Sequence, residues 1–189
     1  LIATYVDGEL PLQDPDSALW QRATAIDVPL SAQTVTTPRL NNTNVKSVKA
    51  RALHNGQQLV ILAEWSDSTE NDSMVRVQDF RDAVAVQFPL TANQPFVCMG
   101  IAGTNVNIWH WKADWQSDID RRAARTSEKA RDGVRTFEVI PRRISSVEDL
   151  IGGGFSTLTT KEKQGRVQGS AVWKDGIWRV VMRRPLVSE

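Results

Sequence analysis

AVAVQFPLTANQPFVCMGIAGTNVNIWHWKADW, residues 83–115, decides how the rest of this chain is read. Residues 83–88 form an apolar strand, which stops at Pro89 because proline has no amide proton to give a ladder. Phe96-Val97-Cys98-Met99-Gly100 follows, and residues 107–115 read as a second strand carrying Trp109, Trp111 and Trp115. Side chains alternate along a strand, so Val106, Ile108, His110 and Lys112 share one face and Asn107, Trp109, Trp111 and Ala113 the other. The stretch holds three of the seven tryptophans, one of the two histidines and one of the three methionines. That density of aromatic and ligating groups marks either a packed core or the wall of a binding site.

The flanking sequence supplies strands and turns. Asn55-Gly56 separates strands at 45–53 and 58–65, and Asp175-Gly176 separates strands at 164–174 and 177–184. Both dipeptides favour the positive φ angles that tight hairpins demand. Shorter strands are expected at 1–10, 26–30, 35–40, 75–80 and 137–140, with Pro29 and Pro38 marking sheet edges. Asp14-Pro15-Asp16-Ser17 caps a brief helical turn bearing Leu19 and Trp20. Ser145-Ser146-Val147-Glu148 has the capping-box spacing for one helical turn through Leu150. Residues 116–133 are highly charged without an apolar stripe and read as a long excursion, partly helical at best. Gly152-Gly153-Gly154 frees the backbone for a close approach. Many short strands without a sustained helix predict an all-β fold: one antiparallel β-sandwich domain over residues 1–189, with short helical turns and long loops.

A net charge of +1 with 24% charged residues favours neither nucleic acid nor an anionic membrane. No apolar run approaches the roughly 18 residues of a spanning helix, so no membrane insertion is expected. The single cysteine, Cys98, permits no internal disulfide and no cysteine-rich metal motif. The sequence begins at Leu1 without methionine, and a processed N-terminus with its signal peptide removed is expected. Catalysis finds no foothold. His54 and His110 lack zinc-ligand spacing, no nucleophile elbow, P-loop or dinucleotide fingerprint is present, and Asp118 and Asp120 read as solvated surface. A binding role therefore leads. By pattern Met99 is a core filler or, through its thioether, a soft ligand suited to haem iron.

DAVAVQFP at 82–89, CMG at 98–100 and VNIWHWKADWQ at 106–116 resemble the haem b γ subunits of the type II dimethyl-sulfoxide-reductase family of molybdoenzymes. That group spans the ethylbenzene, dimethylsulfide, chlorate and selenate enzymes and related nitrite oxidoreductase subunits. Residues 14–23, 59–69 and 152–186 fit as well, so the resemblance covers most of the chain. It implies a β-sandwich whose loops enclose one noncovalent haem b (iron protoporphyrin IX), with iron held by a methionine and a lysine. By motif these fall on Met99 and on Lys174 in AVWKDG, with Lys112 in WHWKAD as the alternative lysine. Phe96, Trp111 and Phe155 are the aromatic residues expected to stack on the macrocycle. The absence of a C-x-x-C-H motif agrees with noncovalent attachment.

The resemblance implies a non-catalytic electron-transfer subunit of a periplasmic molybdoenzyme. Its partners would be an iron–sulfur β subunit, a molybdenum α subunit, and a soluble cytochrome or other carrier. It leaves the substrate and the direction of electron flow open. Two other readings stand beside it. One is a carbohydrate-binding sandwich module, which needs Trp109 or Trp111 in a solvent-facing groove. The other is a free-standing haem relay or sensor of the same fold.

Overall fold

The computed structural model describes residues 1–34, 37, 39–91, 99–101, 103–132, 143–154 and 157–187, with the backbone alone along 126–132. The chain forms two compact units, one of Leu1–Glu70 with Ser170–Glu189, the other of Asn71–Gly169. Each contains one β-sheet, so the all-β class expected of the sequence is borne out.

The first sheet joins β1 (Thr4–Tyr5), β2 (Ile26–Pro29), β3 (Ser47–His54), β4 (Gln58–Ser66), β9 (Gln168–Lys174) and β10 (Ile177–Pro185). Its order is β1-β3-β4-β10-β9, and β2 also pairs with β3. The β3–β4 hairpin forms where Asn55-Gly56 demanded it: Asn55 Oδ1 accepts from the amides of Gln57 and Gln58 at 3.1 and 2.9 Å, and Gly56 adopts φ +86°. β4 is central, so Val60, Ile61, Leu62 and Ala63 are buried on both sides. One face of the sheet joins Leu53, Val60, Leu62 and Val181 to Val6, Leu10, Trp20 and Ala23 of the N-terminal segment. Each such branched side chain contributes roughly 1.5–3 kcal/mol by leaving water. Trp20 sits on the expected helical turn, a 3-10 turn over Ala18–Arg22, and donates Nε1–H to Asp14 O at 3.0 Å.

The second sheet is fully antiparallel, in the order β5 (Ala83–Pro89), β6 (Val106–Lys112), β7 (Val147–Gly152), β8 (Leu158–Thr160). Register pairs Val106 with Gly152, Ile108 with Leu150 and His110 with Glu148. Val106, Ile108, His110 and Lys112 therefore share a face with Gly152, Leu150, Glu148, Leu158 and Thr160. The other face carries Trp109 and Trp111, both fully buried. Trp109 tilts against Phe88 with ring centroids 4.5 Å apart and donates to Asn107 Oδ1 at 2.9 Å. Asn107 in turn donates to Asp149 Oδ1 at 2.5 Å and to Leu150 O at 2.9 Å, and Lys161 reaches Asp149 Oδ2 at 3.1 Å. A buried polar chain thus holds together what aromatic packing alone would leave free to slide.

Four expectations are corrected. Residues 116–132 of the expected excursion are not loose but most of a 20-residue helix, α1 (Ala113–Asp132), and the strand before it ends at Lys112 rather than Trp115. The segment lacks glycine and proline before Gly133, and i,i+3 and i,i+4 pairs such as Arg121–Asp118 and Gln116–Asp120 hold its solvated face. Its first turn is docked: Ala113 N donates to Asp82 O at 2.9 Å, and Asp114 pairs with Arg81 at 3.0 Å. Residues 145–150 are not a helical turn. Ser145 Oγ accepts from Val147 N as a cap would, yet from Val147 onward pairing with β6 wins over local propensity. Residues 75–80 are a turn closed by Arg76 and Asp79 rather than a strand. Of the strand expected at 35–40, residues 35, 36 and 38 lie outside the described residues, and Leu40 forms an isolated bridge with Gln33. The strand expected at 137–140 also lies outside them.

Candidate functional site

Met99 lies where β6 begins and β7 ends. Gly154 N donates to Met99 O at 3.0 Å, which ties the methionine's backbone to the glycine triplet. A Cβ on Gly152 would stand 2.8 Å from Met99 O and 3.3 Å from Met99 Cβ. One on Gly100, itself at φ +84°, would meet Thr104 O at 2.7 Å and Gly152 O at 3.2 Å. The close approach expected of Gly152-Gly153-Gly154 is therefore an approach to Met99 and Gly100. Thr157 fixes the far side, accepting from Gly153 N at 2.9 Å and donating to Gly154 O at 2.7 Å. Clamped in this way, the half-buried Met99 side chain packs on Val106, Ile108 and Leu150. Leu158 shares that face and is 47% exposed, so the apolar end of the sheet continues to the surface.

Further along the same face the chemistry turns polar. Lys112 is buried, and its ammonium pairs with Glu148 and lies 4.1 Å from the centroid of the Trp115 ring. Thr160 Oγ1 donates to Glu148 Oε1 at 2.6 Å. Burial pushes the Glu148 carboxyl up, but the hydrogen bonds from Lys112 and Thr160 outweigh it and hold the group below its usual range. His110, half-buried between them, is pushed down first by burial and then by the charges of Lys112 and Arg81.

Lys174 belongs to the first unit. It is exposed at the end of β9, followed by Asp175 at φ 53° and Gly176 at φ 71°. Asp67 locks this hairpin end, accepting from Trp173 Nε1 at 3.1 Å and donating to Gly176 O at 2.8 Å. Among the described residues, no hydrogen bond or ion pair engages the Lys174 ammonium. The two lysines thus differ in kind: Lys112 is a committed cation, whereas Lys174 is held at its stem and uncommitted at its tip.

Met99 and Lys174 fall in different units. Trp111 lies on the face opposite Met99, against Val147 and Gly169, so the sheet separates the two rather than bringing them together. Phe96 and Phe155 lie outside the described residues. The platform of Val106, Ile108 and Leu150 under Met99 escaped sequence reading. Strand alternation signals its β6 half, but the register that brings Leu150 and Gly152 beside it is a long-range property. Among the described residues, no cluster of histidine, cysteine and carboxylate side chains could hold a metal ion by itself, and no helix is long and apolar enough to cross a membrane.

Known proteins can be set against this geometry. A sequence model of the family described as ethylbenzene dehydrogenase matches residues 17–189. The chain belongs to this family. It is 28% identical over 178 residues to the "Putative respiratory nitrate reductase heme subunit ORF7" of Haloferax mediterranei, across 94% of this chain and 53% of that protein. It is also 28% identical over 176 residues to the chlorate reductase subunit gamma of Ideonella dechloratans, across 91% of this chain and 60% of that one. The chain thus spans somewhat over half the length of these relatives. The resemblance to γ subunits of type II molybdoenzymes, drawn from 82–89, 98–100 and 106–116, is borne out. Among solved structures, a family 9 carbohydrate-binding module from Caldicellulosiruptor kristjanssonii in complex with glucose is similar, with a TM-score of 0.42 and 13% identity over 100% of this chain and 71% of that one. A likeness at that level has no bearing on ligand or function.

Proposed function

We propose that the chain is the haem b electron-transfer subunit of a periplasmic molybdoenzyme, relaying electrons between an iron–sulfur β subunit and an external carrier. The molybdenum α subunit would hold the catalytic centre. The observation that carries this reading is the clamp on Met99. Gly152 leaves open the space a Cβ would fill, and the thioether comes to rest on an apolar sheet end that reaches the surface. A core methionine needs no such device; Met182, in the interior of β10, is fully buried without one.

Met99 and its apolar platform fit the group. When bound, haem supplies a one-electron couple, which neither cysteine nor metal clusters of the described residues would provide. Met99 would contribute a soft sulfur donor and Lys174 a nitrogen donor, the metal displacing a proton that a free lysine retains to about pH 10. Donors of this kind from the protein would suit electron transfer rather than substrate chemistry. Lys112 is disfavoured as the nitrogen donor because recruiting it would cost the half-buried Glu148 its ion-pair partner. The carbohydrate reading is disfavoured too, since Trp109 and Trp111 are fully buried rather than set in a solvent-facing groove.

The test is the absorption spectrum of the purified protein, oxidised and reduced. A Soret band with low-spin features is expected. Lys174→Ala and Met99→Ala should each perturb it, while Lys112→Met leaves its ligation bands in place. A protein without a Soret band refutes the haem reading, and a spectrum that responds only to Lys112→Met reassigns the lysine.

A further inference from the structure

The face of the second sheet that carries Met99 changes character along its length. At one end Val106 and Gly152, then Ile108 and Leu150, form an apolar floor, with Met99 packed against Val106, Ile108 and Leu150. The next rung sets His110 beside Glu148, and beyond it comes Lys112, whose ammonium pairs with Glu148. On β5, register places Ala85 beside His110 and Ala83 beside Lys112. Both alanines are exposed, so the polar end of the face is open along that edge. An apolar floor that leads to a few polar groups is the lining of a site for an amphipathic ligand.

His110 is the unengaged group at this end. The charges around it are already paired, Lys112 with Glu148 and Arg81 with Asp114 at 3.0 Å, and Thr160 also donates to Glu148. The imidazole is half-buried, and among the described residues no hydrogen bond engages its ring. A polar ring drawn partly out of water without a partner costs free energy that a hydrogen-bonded one does not. The surroundings give the missing partner a sign. Lys112 and Arg81 each act on the ring more strongly than Glu148 or Asp114 does, so the local potential favours an anion.

We propose that His110 holds a carboxylate of the haem, a ring N–H donating to the acidic edge of the macrocycle. This rests on the haem reading above. Protoporphyrin IX has the matching polarity, an apolar ring system with both carboxylates on one edge. Lys112, held by Glu148 and lying over the Trp115 ring, supports the carboxylate by its charge. His110 thus serves the site as an anchor for the ligand's acidic edge, and the iron is left to other donors.

The test titrates the haem-free chain with ferric haem and with its dimethyl ester, in which both carboxylates are masked, following the Soret band. Wild type should bind the free acid more tightly than the ester. His110→Phe should raise the dissociation constant for the free acid at least about tenfold, as for loss of a hydrogen bond to a charged group, and leave that for the ester unchanged. His110→Gln, which keeps an N–H donor, should recover most of the loss. The low-spin bands should stay in place in both variants. Full affinity for the free acid in His110→Phe overturns the proposal while leaving the haem reading intact. Equal weakening of both ligands also overturns it, since the ring would then shape the sheet and not the carboxylate contact. So does a change in the ligation bands of His110→Phe, which would make His110 an iron ligand. Wild type that binds free acid and ester alike removes the carboxylate contact without recourse to any variant. Wild type that binds neither overturns this proposal and the haem reading together.

Discussion

Gly152→Ala isolates the clamp on Met99. Gly152 lies in β7 outside the positive-φ glycines, so alanine meets no backbone penalty there and the whole effect is steric. The new methyl carbon would stand 2.8 Å from Met99 O, 3.3 Å from Met99 Cβ and 3.3 Å from Val106 Cγ2. Relief requires the Met99 backbone to retreat by about half an ångström, and overpacking of this kind costs roughly 1–3 kcal/mol. In a chain of this length each kcal/mol lowers Tm by about 2–4 °C, so a fall between about 2 and 12 °C is expected on thermal unfolding. Gly169→Ala is the matched control. Its methyl would meet Ser146 Oγ and Val147 Cγ2 at 2.7 Å and Trp111 Cδ1 at 3.1 Å, comparable crowding on the other face of the same sheet. Both variants should lose stability, but only Gly152→Ala should shift the haem absorption bands. A Gly152→Ala protein with unchanged Tm and spectrum refutes the clamp. Equal spectral shifts in both variants would mean that the sheet transmits crowding without regard to face, and the assignment of Met99 to the apolar face would lose its support.

The polar end of that face makes stability depend on pH. His110 is held below its ordinary value of 6.5, so as pH drops from about 6.5 towards the depressed folded value the unfolded chain takes up a proton that the folded chain refuses. This contribution is fully present above pH 6.5 and is lost below it; His110→Phe should flatten the upper part of the acid limb in a series of thermal melts. Glu148 adds a second loss at lower pH, since its folded value is depressed and its contribution fades as pH falls from about 4.5 through that value. On the opposite face, Asn107→Ala removes the acceptor of Trp109 Nε1 and the donors to Asp149 and Leu150. A loss of about 2–4 kcal/mol in urea unfolding is expected, and a loss under about 0.5 kcal/mol would show that the chain is dispensable.

Local chemistry made part of this molecule readable. Asn55-Gly56 and Asp175-Gly176 announce hairpins because each must supply backbone conformations that few other residues accept, and no distant contact is needed to select them. The charged stretch after Trp115 misled because amphipathic patterning detects helices that bury a face. Among its described side chains α1 fully buries only Ala113 and carries pairs such as Arg121–Asp118 on its solvated face. Ser145-Ser146-Val147-Glu148 misled in the opposite sense. Its capping chemistry is real, and Ser145 makes the local bond, but Val147 and Leu150 gain more by burial beside Trp111 and Ile108 than one helical turn could return.

Sidedness is what the candidate site adds to the sequence. Alternation along β6 already sets Trp111 apart from Val106 and Ile108, yet nothing local says on which side Met99 will lie. That is fixed by the pairing of Val106 with Gly152, 46 positions apart by number, and by the space Gly152 leaves for the methionine's backbone. The same register brings Glu148 beside Lys112 and so separates two lysines that motif chemistry treats alike. A buried ammonium paired with a half-buried carboxylate is costly to recruit, because the ion pair must be broken. An ammonium on a hairpin, with no partner among the described residues, gives up hydration and its proton but breaks no ion pair. The preference for Lys174 over Lys112 therefore follows from which carboxylate the fold delivers to which lysine, a property of strand register that neither motif contains.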